Sequence, residues 1–180
     1  MEYLVYEKSV LSIIARNSKG DTLPDDIVSK LQRSRIVEKS YELCHRIFLS
    51  QLEIEIFLNF DPNGDETIIA LQSRLAEKYC HFDPPPKGNI DPLIEIFQNN
   101  ANGKEVAQYR YLWSEVMSAD AYDHITCNEG KDLKLNGRKF CEAFLLGAGS
   151  TSTEKSFQNF RGREPFLEPY LKMLDIEKND

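Results

Sequence analysis

The chain has no long apolar run. None of its hydrophobic stretches approaches the roughly 20 residues a helix needs to cross a bilayer, so no membrane partner is expected. The opening Met1-Glu2-Tyr3-Leu4 has neither the basic region nor the long apolar core of a secretion signal. Basic residues are in deficit: 22 Lys and Arg stand against 29 Asp and Glu, a net charge of −7. That argues against the basic footprint which holds a phosphate backbone, and no nucleic-acid partner is expected. The four cysteines, Cys44, Cys80, Cys127 and Cys141, make no CxxC pair and no disulfide framework. A reducing, cytoplasmic setting follows as the default. The histidines, His45, His81 and His124, include no pair four residues apart, the spacing with which one helix face offers two ligands to zinc. Strand alternation is weak, and there is no internal repeat.

What the chain does have is helical periodicity. Its 180 residues, 41% hydrophobic and 28% charged, suit one globular domain over 1–180. A first helix is expected from Glu2 to about Arg16, broken by Gly20-Asp21. Pro24-Asp25-Asp26 opens a short second helix, because proline in a first turn gives up no hydrogen bond and acids suit the positive end of the dipole. Val37, Tyr41, Cys44, Phe48, Leu52 and Ile56 recur at three- and four-residue spacing, which predicts a long central helix from about Ile36 to Leu58. A further helix is expected over about 65–79. The prolines of "HFDPPPKGNIDP" (81–92) require a loop. "FQNNANGKE" is a weak region, about 105–125 a long helix, "CNEGKDLKLNG" a loop, and 138–146 a helix. Thr151 and Glu154 have capping-box spacing. The helix they start should stop at Gly162, and Pro165 should open the last one.

Four blocks carry a resemblance: "YEKSVL" with "GDTLPDDIVSKLQRSR"; Tyr111-Leu112-Trp113-Ser114 with Glu115-Val116; Gly137, Phe140, Leu145, Gly149 and Ser150; and Gly162-Arg163-Glu164-Pro165. In this order and at these separations they resemble the C-terminal part of the catalytic domain in the thimet oligopeptidase and neurolysin family of zinc metallopeptidases. The resemblance implies an all-α fold, a helical array equivalent to the C-terminal part of a zincin-like oligopeptidase domain. It also implies cleavage of short peptides by a zinc-bound water in the complete domain. The family's HExxH and its downstream Glu are absent from these 180 residues. Metal ligands and general base are therefore missing here, and no zinc is expected to bind. The expectation is a truncated or degenerate member, inactive alone. The rivals are a non-catalytic peptide- or protein-binding module and one half of a two-chain peptidase. Self-association, or a partner, is expected through the face of the missing half, around Val5, Tyr6, Val10 and Ile13.

The second departure lies in the substrate loop. The family pattern resembles FGHxxGGYxAxYYGYLWS, where glycines allow movement and tyrosines hydrogen-bond substrate and oxyanion. Here the run is "FQNNANGKEVAQYRYLWS". Ungapped, Phe97 and Gly103 are kept, the family His becomes Asn99, and two tyrosines become Lys104 and Gln108. Tyr109 and Tyr111 are retained. A one-residue gap pairs "AQY" directly instead, and the His and the first Tyr are lost either way. The substrate-binding candidates are thus Tyr111, Tyr109, Gly103 and Asn99. Tyr109 and Tyr111 are two apart, so one is expected in the core and the other at a cleft. Trp113 is expected to pack, and Arg161 and Arg163 to be solvated at a helix end. A Cys/His zinc cluster lacks ligand spacing.

Overall fold

The computed structural model describes residues 2–37, 39–80, 92–103, 106–127 and 132–176. Among them every regular element is helical, and the one β contact is an isolated bridge between Arg16 and Thr22. The fold is all-α. In chain order the elements are a 3-10 turn (Glu2–Tyr6), α1 (Lys8–Ile14), α2 (Asp25–Val37), α3 (Lys39–Leu58), α4 (Ile68–Tyr79), α5 (Pro92–Ala101), α6 (Tyr109–Ile125) and α7 (Leu133–Phe140). A π-helical turn (Cys141–Leu145), α8 (Thr153–Arg161) and α9 (Glu168–Met173) complete them. The chain folds as two compact units, one of Met1–Glu38 with Glu115–Asp180 and one of Lys39–Ser114. Most of the triproline loop lies outside the described residues.

The second unit is built on α3. Phe48, Leu49 and Leu52 meet Leu71 and Leu75 of α4 and Ile96 of α5 in one buried cluster. Their burial removes apolar surface from water at about 25 cal/mol per Å². α4 begins where the Thr67 hydroxyl accepts from the Ala70 amide (3.1 Å), satisfying an amide that has no helical partner. α5 reaches through Ala101 and so takes in half of a run whose asparagines read as weak. The reason is tertiary: Ile96 is fully buried against the α3 cluster, and packing overrides a small deficit in propensity. The long helix expected from Ile36 begins instead at Lys39, after α2 has continued to Val37. Val37 and Tyr41, assigned to its inner face, are both exposed.

The first unit gathers Ala121 and Ile125 of α6 with Phe157 and Phe160 of α8, and Phe140, Phe144, Leu133 and Leu4 pack around them. The rings meet edge to face, Phe140 on Phe160 at 5.6 Å and Phe144 on Phe157 at 6.4 Å, the arrangement aromatic quadrupoles favour. The expected first helix is divided at Glu7, whose backbone is extended (ψ 128°) and whose carboxylate accepts from the Tyr122 hydroxyl. The Arg35 guanidinium lies over the rings of Tyr3 (4.4 Å) and Tyr6 (5.5 Å), a cation–π pairing. Of the face expected to be bare, Val5 and Ile13 are exposed, while Tyr6 and Val10 are half-buried.

Three boundaries differ in the last third. α7 starts at Leu133, inside the stretch read as a loop, because Leu133 joins the aromatic cluster. It then passes into the π turn, where Leu146 N–H bonds Cys141 C=O at 2.9 Å. The cap of α8 is Ser152, which accepts from Lys155 N–H, rather than Thr151. α9 starts at Glu168 with proline in its first turn, not at Pro165, because the backbone just after Pro165 is held by Asp120. Gly162 ends α8 as expected, at φ 78°.

Candidate functional site

The residues singled out from the sequence lie on one short stretch of the second unit, from the end of α5 through the first turn of α6. Asn99 falls in α5, and its side chain lies outside the described residues, as do Lys104 and Glu105. Gly103 has φ 70° with open space where a Cβ would stand. Val106 also sits at positive φ, 48°. For a β-branched residue this is a strained backbone costing about 1–3 kcal/mol, and helix α6 forms only beyond it.

Tyr109 and Tyr111 ride in the first turn of α6, 53% and 45% exposed. The expectation that one of them is core does not hold. Trp113 is more than half exposed as well, so its expected packing role is also corrected. The Tyr111 hydroxyl accepts from Arg110 Nη2 at 3.2 Å, and the guanidinium carbons of Arg110 and Arg46 stand 5.0 and 5.9 Å from its ring centroid. Both cationic groups thus lie against the phenol, one of them donating to its oxygen. Gln108 points the other way. Its Nε2 is buried without a partner, while its backbone N–H donates to Glu53 Oε2 at 2.8 Å.

The first unit carries a second polar assembly. Asp120 is completely buried, yet it is a carboxylate with four bonds. Arg161 Nε donates to Oδ1 (2.7 Å), Arg163 donates through Nη1 (2.6 Å) and Nη2 (2.8 Å), and Phe166 N–H donates to Oδ2 (2.8 Å). Arg161 also reaches Asp123 (2.8 Å) and His124 Nδ1 (3.0 Å). Neither arginine is a solvated helix-end residue: Arg161 is 15% exposed and Arg163 29%. The GREP turn is therefore pinned onto α6 by ionic bonds. Burial alone would raise the Asp120 pKa, but the bonds from Arg163, Phe166 and Arg161 outweigh it and hold the carboxyl below its usual range. Burial first, then Arg161 and Lys139, depress the His124 imidazole, and Asp123 and Asp120 oppose them only in part.

Both shifts have the same consequence for stability. A group whose folded pKa is depressed is stabilising above its unfolded pKa, because below it the unfolded chain binds the proton more readily. Stability should therefore fall as pH drops below about 6.5, where an unfolded imidazole takes a proton, and further below about 4, where an unfolded Asp does. Thermal midpoints measured from neutral to mildly acidic pH should fall accordingly. His124→Asn should flatten the upper part of that slope, and an unchanged slope would contradict this account.

The zinc implied for the complete domain finds no ligand set among the described residues. Among the described residues no three His, Cys, Asp or Glu side chains are grouped to hold an ion. His124 Nδ1 stands beside the Arg161 cation, and Cys127 Sγ accepts from Asn136 Nδ2 at 3.5 Å. Burial first, then Cys44, raises the Cys80 thiol pKa. His81 is outside the described residues.

Glu53 and Asp120 were not found from the sequence, although each left a sign. Glu53 interrupts the apolar face of α3 directly after Leu52, and Asp120 stands between two alanines that are themselves buried. A carboxylate at such a position must be paired. What the sequence withholds is the partner, 55 residues away for Glu53 and 41 and 43 for Asp120.

Comparison with known proteins adds the following. The profile of peptidase family M3 matches residues 1–176. "Probable cytosolic oligopeptidase A" of Arabidopsis thaliana is 30% identical over 96% of this chain and 25% of its own length. Oligopeptidase A of Salmonella typhimurium is 25% identical over 98% of this chain and 26% of its own. Dipeptidyl carboxypeptidase of the same organism is 22% identical over 88% of this chain and 23% of its own. The chain thus spans about a quarter of the length of the curated relatives it matches.

Proposed function

The chain belongs to peptidase family M3, and on that premise we propose that it forms a peptide-facing wall of an oligopeptidase-type site. In this reading Tyr109 and Tyr111 hydrogen-bond short peptides, and the 180 residues alone do not hydrolyse them. The observation that carries the proposal is the pair of exposed tyrosines on a turn whose backbone is fixed from below. A phenol presented this way can donate to a peptide carbonyl without burying a charge. The names of the relatives, oligopeptidase and dipeptidyl carboxypeptidase, support peptides as the ligand class. Zinc belongs to the complete domain in this reading, and a cytoplasmic setting is part of it. One relative is named cytosolic and another chloroplastic/mitochondrial.

The test is a titration of the chain into a fluorescein-labelled decapeptide, followed by anisotropy. Saturable binding is expected. Tyr111→Phe, which removes only the hydroxyl, should weaken it about two- to tenfold, the worth of one net hydrogen bond. No binding, or binding indifferent to both tyrosine hydroxyls, would refute the proposal.

A further inference from the structure

The contact beneath the tyrosine turn is unusual in three respects. Glu53 has no solvent exposure, yet only one of its oxygens is used: Oε2 takes the Gln108 amide and Oε1 has no partner. The amide it takes belongs to the residue immediately before α6, where the positive end of a 17-residue helix gathers. Such amides have no acceptor within their own helix, and a carboxylate there meets both the free donor and the dipole. Lastly, the backbone two residues earlier is strained at Val106. A strained conformation persists only where its surroundings over-determine it.

We infer that Glu53 is a positioning residue: a cap supplied from α3 that sets the start of α6 and so the placement of Tyr109 and Tyr111. A side chain local to the turn would cap α6 and let it move as a rigid piece. A cap from α3 ties that turn to the helix at the centre of the second unit's core. Arg46, seven residues before Glu53 on the same helix, faces the Tyr111 ring, so α3 fixes the turn at its backbone and at its exposed face. The Gln108 side chain adds nothing to this bond, since its Nε2 is buried and unpaired. Its truncation removes an unsatisfied donor and leaves the anchoring amide in place. The functional half of this inference rests on the proposed peptide-facing role of the two tyrosines; the structural half does not.

The test separates the halves. Glu53→Gln keeps the shape and an acceptor oxygen but removes the charge. Amide hydrogen exchange is read at residues 106–114 and, in the same sample, over the core segments 48–56 and 68–79. Protection at 106–114 is expected to fall about tenfold or more, as for loss of a charged acceptor, while the core segments hold. Emission from Trp113, the one tryptophan in the chain, should shift with it. Glu53→Asp should restore part of the protection, and Gln108→Ala should leave it intact. If Glu53→Gln does not fold, Gln108→Pro removes the donor itself near a helix start, where proline is compatible, and should give the same local loss. Unchanged protection at 106–114, or a uniform loss across all segments, overturns the positioning role. Peptide affinity is measured on the same variants. Local protection lost with peptide affinity unchanged overturns the functional half. A wild-type chain that binds no decapeptide refutes the proposed function and leaves the exchange result to decide the positioning role.

Discussion

Asp120→Ala is expected to lower the stability of the first unit by about 3–5 kcal/mol, the cost of breaking a buried ion pair from one side. The substitution leaves Arg161 and Arg163 partly buried and short of an anion. Arg161 keeps Asp123 and His124. Among the described residues Arg163 keeps only the Glu164 carbonyl and its place over the Phe166 ring, 3.9 Å from the centroid. The Phe166 amide also loses its acceptor, so the GREP turn is released from α6. In a chain of this size each kcal/mol moves the melting midpoint by about 2–4 °C, so a fall of roughly 10 °C is expected. Asp120→Asn should be nearly as severe, because it brings donors to face donors. Loss of under 1 kcal/mol on chemical denaturation would mean that the assembly is dispensable. Replacing all three charged residues together with apolar ones should cost less than Asp120→Ala alone, since the penalty comes from the orphaned charges.

Phe157→Ala should be comparably damaging, at about 3–5 kcal/mol. Phe157 is 1% exposed, and its ring sits among Ala121, Ile125 and Phe160 with Phe144 against its edge. Truncation loses both the transfer of the ring and the packing of its neighbours, which are themselves rings too rigid to close the space. Phe157→Leu should recover much of the loss. Denaturant unfolding read by circular dichroism measures both variants, and a wild-type midpoint for Phe157→Ala would contradict the assignment of the core.

How far the sequence discloses the molecule depends on how local each signal is. Helix-period apolar spacing placed α3, α4 and α6 to within a few residues, and Gly162 marked the end of α8 because a left-handed exit is a property of one residue. Ser152 and Thr151 are adjacent hydroxyl residues, and spacing alone chose the wrong one; the helix starts one residue later than the capping-box reading assumed. α5 was not expected at all, because it rests on Ile96 packing against α3 and α4. The four sequence blocks disclosed the family, since order and separation survive where single residues drift. Tyr109, Tyr111, Gly103 and Asn99 were singled out through that resemblance. Glu53 and Asp120, which hold the two parts of α6, were not, because a buried carboxylate is explained only by a partner some 40 to 55 residues away.

The most direct measurement uses an internally quenched decapeptide with added zinc, following anisotropy and peptide cleavage together on the same sample. The account predicts saturable, Tyr111-dependent binding with no cleavage product by mass spectrometry, because no side chains in the described residues assemble a metal to activate water. Turnover that a chelator abolishes, that survives re-purification, and that Tyr111→Phe slows would contradict it.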